Sequence, residues 1–310
     1  MTKILVFGLG AIGCLYAAKL QQAGAQVAVV CRSNYDQVKT CGINIKSIWG
    51  DFVFHPNQVL KNAGDYKDEP DFIIVATKIV KGLNLPQMIA PAVVKKTTIA
   101  LIQNGIFIED EIAQAFPNNQ ILSIIAFVDV IRTSLNSIVH AGEGHLTIGE
   151  FANENRAKTQ LLFDLLNKAL VPTILSEDIQ FNRWKKLLWN ASFNPISVVG
   201  GNLDTKQILD NLELKKLVRC VMLEVVALAK LQGFEIEEQL IDQMIASTQA
   251  RKTPAITSML VDFRSKKPME IEAILGNALR FAIKNNVKVP LIEDLYKKLK
   301  IVETGANQQG

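Results

Sequence analysis

Cysteine, histidine, long apolar runs and excess charge of either sign are all scarce in this 310-residue chain, and each scarcity removes a class of protein. The four cysteines, Cys14, Cys31, Cys41 and Cys220, show neither a C-x-x-C motif nor paired spacing, which argues against a zinc site and against a disulfide framework. Reduced thiols in a cytoplasmic protein are the expectation. The three histidines, His55, His140 and His145, are too scattered to suggest a metal, and His140 and His145 read as structural. No apolar run reaches membrane-spanning length, since the stretch Ile121 to Phe127 is soon cut by Asp129 and Arg132. The net charge of +4 is spread over small clusters such as Lys95-Lys96, Lys215-Lys216 and Lys297-Lys298. These read as solvated positions, so neither nucleic acid nor a membrane is the expected partner. What is present is ordinary for a globular protein: 49% apolar and 21% charged residues, in a chain long enough for two domains.

From the start to about residue 175, short apolar runs alternate with helical stretches. Ile4 to Phe7, Gln26 to Val30, Phe72 to Ala76, Thr98 to Ile102 and Leu122 to Phe127 are the candidate strands, with a last short one at Val171 to Ile174. That alternation predicts a doubly wound parallel sheet. Two hairpins are predicted on it, one between Ile43 and Val53 turning at Trp49-Gly50-Asp51, the other joining Ser137–His140 to His145–Gly149 through Gly142 and Gly144. From Asp178 onward the periodicity is helical, with breaks at Pro195, Gly200-Gly201, Gly233, Pro254 and Lys266 to Pro268. The expected division is therefore 1–175 and 176–310, the second part all-helical, and the polar tail from Gly305 to Gly310 reads as disordered.

The first run leads straight into Gly8-Leu9-Gly10-Ala11-Ile12-Gly13, and a helical stretch follows from Cys14. In that context the glycines have separate tasks: Gly8 permits the turn, Gly10 lets a pyrophosphate approach the backbone, and Gly13 allows close helix–strand packing. A lone glycine pattern means only a turn before a helix, and Lys3 with the apolar stretch after it could pass for an export signal. The second strand in register favours a Rossmann-type dinucleotide site over both. Arg32, about 20 residues beyond the motif, stands where NAD-binding proteins carry an acid. A guanidinium there suits a ribose 2′-phosphate, and NADP(H) is the expected cofactor. The plainer reading of Arg32 is a solvated charge after a strand.

A second pattern lies at Lys186, Asn190 and Asn194, four residues apart on one helical stripe within the apolar surroundings of Leu187, Leu188, Trp189, Ala191 and Phe193. Polar groups in such a setting need partners, and a bound polar ligand can supply them. The alternative is the wet face of an amphipathic helix. Lys185, out of register, fits that description.

With these segments in hand the chain resembles the ketopantoate reductase (2-dehydropantoate 2-reductase) family over essentially its whole length. The resemblance rests on Gly8 to Gly13, Val75-Ala76-Thr77-Lys78, Asn104-Gly105, the set Lys186, Asn190, Asn194 and Pro195, and the set Ser258, Met259, Asp262 and Glu270. It implies NADPH-dependent reduction of 2-dehydropantoate to (R)-pantoate, a small 2-oxo acid as substrate, no metal, and a monomer or homodimer. By the same resemblance Lys186 is the catalytic general acid and Asn104 orients both nicotinamide ribose and substrate. Asn190 and Asn194 bind the substrate's polar groups, and Ser258 binds its carboxylate. Glu270 accepts a hydrogen bond from substrate or cofactor hydroxyls, and Lys78 joins Arg32 at the adenine-side phosphate. Without the family, Ser258 and Glu270 read as helix-start residues and Asn104 as a turn residue. Two departures bear on the substrate: Gln103 replaces a histidine often found before Asn104, and Asp204 stands where a further substrate-contacting asparagine can occur. A reductase of another branched 2-oxo acid, or a non-catalytic NADPH-sensing module, are the competing readings, and Lys186 in register disfavours the sensor.

Overall fold

In the computed structural model, which describes residues 1–80 and 82–307, the short β-branched runs form the strands at the centre of the first unit. In chain order its elements are β1 (Lys3–Phe7), α1 (Ala11–Gln22), β2 (Gln26–Val30), α2 (Tyr35–Cys41), β3 (Ile43–Ser47), β4 (Phe52–Phe54), β5 (Gln58–Leu60) and β6 (Phe72–Val75). There follow α3 (Leu85–Ile89), β7 (Thr98–Leu101), α4 (Asp110–Ala115), β8 (Ile121–Ser134), β9 (Ser137–Ala152), α5 (Arg156–Lys168) and β10 (Thr173–Leu175). Strands β5, β2, β1, β6, β7 and β8 lie side by side and all pair in parallel. Beyond them β9 pairs antiparallel with β8 and parallel with β3 and β10, while β4 closes the edge antiparallel to β3. The doubly wound parallel core therefore carries a mixed extension.

Successive side chains explain the burial. Ile4 and Val6 of β1 join one apolar cluster with Leu15 and Leu20 of α1 and Leu162 of α5; Leu5 and Phe7 join another with Leu85, Ile89 and Ile112 of α3 and α4. The sheet is thus covered by helices on both faces, which is why its strands read as continuous apolar runs.

One expected hairpin is corrected. Ser137 to Gly149 does not turn at Gly142 and Gly144; it belongs to the single strand β9, and the turn lies between β8 and β9 at Leu135-Asn136. The two glycines mark irregularities inside the strand, where the pairing shifts between Phe127 and Val128 and again between Asp129 and Val130. Gly144 has φ +114, and a Cβ there would collide with the Trp49 ring, 2.6 Å from its Cη2; that ring packs edge-on against His140 at 4.4 Å. The glycine makes room for an indole. Strand β5 was not among the expected elements.

The second unit is all-helical, as expected: α6 (Ile179–Val199), α7 (Thr205–Asp210), α8 (Leu212–Leu231), α9 (Glu238–Gln249), α10 (Ser258–Arg264), a π-turn (Glu272–Gly276), α11 (Asn277–Lys284) and α12 (Pro290–Asn307). Two breaks fall elsewhere than expected. Helix α6 runs through Pro195 to Val199, because the buried Phe193, Ile196 and Val198 hold it on both sides of the missing N–H. Helix α12 continues to Asn307 behind the buried Leu295 and Leu299, so residues 305–307 are helical, while 308–310 lie outside the described residues.

By internal contact the first unit comprises Met1–Lys78, Leu83–Gln103 and Ile108–Ile179, and the second Ile79–Gly82, Asn104–Phe107 and Gln180–Gly310. Two short excursions thus leave the sheet unit for the helical one. Among the described residues no helix is long and apolar enough to cross a membrane.

Candidate functional site

In the first unit the glycine turn does what the spacing of its residues requires. Gly8 has φ +100, and a Cβ there would stand 2.5 Å from Thr77 Cγ2. A Cβ on Gly13 would collide with the Gly8 carbonyl and lie 3.2 Å from Ala76 Cβ, so the helix can start this close to the sheet only without one. Gly10 differs: the nearest atom to its hypothetical Cβ is 3.9 Å away, which leaves open space above the turn. Gly10 also caps α1 with no side-chain hydrogen bond, and the first turn of that helix carries no acid. Its free N–H groups and dipole are left to an anion.

Above the turn opens a cavity of about 560 Å³, whose lining includes Gly8, Leu9, Gly10 and, at the ends of β2 and β5, Arg32, Ser33, Asn34 and Lys61. The volume and the donor set fit a dinucleotide. Ala11, Ile12 and Gly13 form the helix start beside it and do not line it. Arg32 is exposed at the rim. Lys78 is exposed and absent from the lining. The lysine in the lining is Lys61, with Nζ 4.8 Å from the centre of the Tyr35 ring. Lys61 escaped the sequence reading because β5 did; the pairing of β5 with β2 sets it beside Arg32. Asn34, at the N-cap of α2, makes no capping bond, and its buried amide nitrogen has no partner.

The helical unit brings three of the expected residues into one hydrogen-bonded chain. Lys186 Nζ donates to Asn104 Oδ1 at 3.0 Å, Asn104 Nδ2 donates to Glu270 Oε2 at 3.1 Å, and Ile79 N–H donates to Glu270 Oε1 at 3.3 Å. Glu270 is buried, and Lys186 and Asn104 are half-buried. Because the Asn104 amide nitrogen is committed to a carboxylate, its oxygen must face the ammonium; the carboxylate sets the amide and the amide aims the lysine.

The excursion Asn104–Phe107 is held firmly. Arg183 donates to Gly105 O at 3.1 Å, Asn277 donates to Ile106 O at 2.7 Å, and Ile106 N–H reaches Ala273 O, inside the π-turn, at 3.4 Å. Ile106 is buried in the unit's core, and the Phe107 ring packs edge-on against Trp184 at 5.9 Å. Gly105, Arg183, Lys186, Leu187 and Asn190 line a small cleft at this point.

All three residues of the stripe lie on α6. Lys186 and Asn190 line that cleft, and Asn194 follows one turn on, 1% exposed, with neither Oδ1 nor Nδ2 hydrogen-bonded. Lys185 leaves the stripe and sets Nζ over the Phe181 ring at 5.4 Å. A fully buried amide without partners is expensive, on the order of 1–3 kcal/mol per unmet group. Asn194→Leu is therefore expected to raise the melting temperature of the ligand-free protein while raising KM for a substrate whose polar groups meet that amide. Thermal unfolding and steady-state kinetics on the same preparation check this, and a destabilised variant with normal KM refutes it.

Three other residues stand as follows. Ser258 is exposed at the first position of α10, whose cap is Thr257, accepting from Leu260 N–H at 3.1 Å. Gln103 ties two strand ends together, donating to Thr77 O at 2.6 Å. Asp204 caps α7, accepting from Gln207 N–H at 2.8 Å while Gln207 Oε1 accepts from Asp204 N–H. Its carboxylate serves a helix terminus.

Comparison with known proteins bears on the whole chain. Residues 4–153 match the family model described as Ketopantoate reductase PanE/ApbA, and residues 178–303 match its partner, Ketopantoate reductase PanE/ApbA C terminal. A 2-dehydropantoate 2-reductase of Nostoc sp. is 34% identical over 313 residues, covering 99% of this chain and 97% of the relative. The crystal structure of 2-dehydropantoate 2-reductase from Methylococcus capsulatus is similar with a TM-score of 0.89 and 40% identity, over 98% of this chain and 97% of that one. A D-mandelate dehydrogenase solved with NADH and anilino(oxo)acetate shares the fold, with a TM-score of 0.91 at 21% identity over 99% of this chain and 100% of that one. With both family models matched in order and a relative aligned almost end to end, the chain belongs to the ketopantoate reductase family.

Proposed function

We propose that this protein reduces 2-dehydropantoate to (R)-pantoate with NADPH, in the cytoplasm, as a step toward pantothenate and coenzyme A. In this reading residues 1–175 bind the cofactor and 176–310 carry the substrate and catalytic residues. The observation that carries it is the Lys186–Asn104–Glu270 chain, which holds an ammonium in a fixed direction.

NADPH, when bound, supplies the hydride. Lys186 gives its proton to the carbonyl oxygen and its charge offsets the developing alkoxide. Asn104 and Glu270 keep the ammonium aimed. Asn194, with two unmet hydrogen-bonding atoms, and Asn190 beside the cleft receive the polar groups of the substrate, and Ser258 its carboxylate. The glycine turn with the N-terminus of α1 receives the pyrophosphate, and Arg32 the 2′-phosphate.

The test is steady-state NADPH oxidation with 2-dehydropantoate beside its unhydroxylated analogue and a panel of branched 2-oxo acids. Preference for 2-dehydropantoate in kcat/KM supports the proposal, whereas preference for another acid moves the protein to a different reductase. Absence of turnover with every acid leaves a nucleotide-binding module. Arg32→Ala checks the cofactor: a charge-assisted bond is worth about 1.5–3 kcal/mol, so NADPH affinity is expected to fall about 10- to 150-fold with NADH nearly unchanged. Equal loss of both makes Arg32 structural.

A further inference from the structure

The two-stranded arm formed by β8 and β9 brings a cation to the glycine turn. Arg132 lies near the tip of β8, opposite Ile138 of β9, and its side chain lines the same cavity as Gly8, Leu9 and Gly10. Its Nη2 donates to Leu9 O, the carbonyl in the middle of the glycine motif, and contacts Cys14 Sγ at 3.0 Å. Its Nη1 donates to Leu135 O at 2.6 Å, which fixes the guanidinium against the turn of its own arm.

Those partners are all neutral. Burial pushes the Cys14 thiol up to about 12, so its sulfur carries no charge at physiological pH. Among the described residues Arg132 forms no ion pair, although carboxylates pair with Lys3, Lys158, Arg219 and Arg280 elsewhere in the chain. A half-buried guanidinium beside an uncapped helix N-terminus concentrates positive potential at one spot, and among the described residues no carboxylate pairs with it. An anion of the ligand can do so.

Resting on the cofactor reading above, we propose that Arg132 is a dinucleotide-binding residue that pairs with the pyrophosphate at the glycine turn. The pyrophosphate is common to NADPH, NADH and ADP, whereas the 2′-phosphate assigned to Arg32 is present in NADPH and in 2′-AMP. The two arginines therefore separate by ligand.

Dissociation constants of NADPH, NADH, ADP and 2′-AMP, measured by calorimetry on the full chain, provide the test. Arg132→Ala is expected to weaken NADPH, NADH and ADP alike, by about 10- to 100-fold, and to leave 2′-AMP within about twofold. Arg32→Ala should weaken NADPH and 2′-AMP and leave NADH and ADP nearly unchanged. Unchanged ADP and NADH affinity in Arg132→Ala overturns the proposal, as does an equal loss of 2′-AMP, which means collapse of the cavity. Should Arg132→Ala fail to fold, Arg132→Lys and Arg132→Gln decide: retention of ADP by the lysine variant alone supports the charge, and equal affinities refute it. Wild-type protein that binds none of the four overturns the cofactor reading along with this one.

Discussion

Lys186→Ala is expected to lower kcat by about 100- to 10,000-fold while nucleotide affinity stays at the wild-type level, because in the proposed reaction one ammonium both donates the proton and offsets charge on the oxygen. The structure supplies a control one residue away. Lys185 has the same chemistry and the same helix, but a step of one residue turns it about 100° off the stripe, and its ammonium rests on the Phe181 ring rather than on Asn104. Lys185→Ala should be nearly silent in both kcat and KM. Steady-state kinetics with a nucleotide-binding control separates the outcomes. If Lys185→Ala is crippling and Lys186→Ala mild, the assignment of the stripe is wrong. If both variants lose activity together with thermal stability, the lysines are structural. Lys186→Arg adds a finer reading: a guanidinium keeps the charge but gives up its proton far less readily, so a strong kcat defect is expected there as well.

How much of this was legible beforehand depends on whether a feature is local. The glycine turn was readable because its three glycines answer to one turn, and Gly8 and Gly13 do meet Thr77 and the Gly8 carbonyl as close packing demands. The α6 stripe was readable because helical spacing alone puts Lys186, Asn190 and Asn194 on one face. Both cases need only a few consecutive residues.

Features made by distant segments were not readable in that way. Lys61 reaches the cavity because β5 pairs with β2, and Arg132 reaches it because β8 and β9 turn at Leu135-Asn136. The misplaced hairpin has the same origin: Gly142 and Gly144 look like turn residues locally, and only Trp49, nearly a hundred residues earlier, shows why Gly144 sits inside a strand. The meeting of Asn104 with Glu270 spans 166 residues, and only the family resemblance named the two together. Pro195 was misjudged in the opposite sense. A proline usually ends a helix, but here burial on either side outweighs one lost backbone bond.

Gly105→Ala is expected to have the second-largest effect, although no side chain is removed. Gly105 has φ +100, where an alanine is strained, and its added Cβ would stand 2.7 Å from the Ala273 carbonyl carbon and 2.9 Å from Ala273 Cβ. The obstacle is mostly backbone, in a buried π-turn, so the turn cannot yield cheaply. The excursion 104–107 must move instead. It is pinned on its far side by the Asn277 bond to Ile106 O and by the packed Phe107 ring, so the displacement falls on the residue before, Asn104. A shift of about 1 Å there breaks the geometry between Lys186 Nζ and Glu270, and misplacement on that scale costs on the order of 100-fold in turnover. The expected signature is a kcat lowered about 30- to 300-fold with ADP affinity unchanged, since the glycine turn and Arg132 belong to the other unit. Asn104→Ala should produce a defect of similar size without the strain, and the double variant should then be little worse than either alone, because both act on one element. A multiplicative loss in the double variant shows that Gly105 acts by some route other than Asn104, and a Gly105→Ala enzyme with normal kcat shows that the excursion can accommodate a side chain where this structure leaves no room.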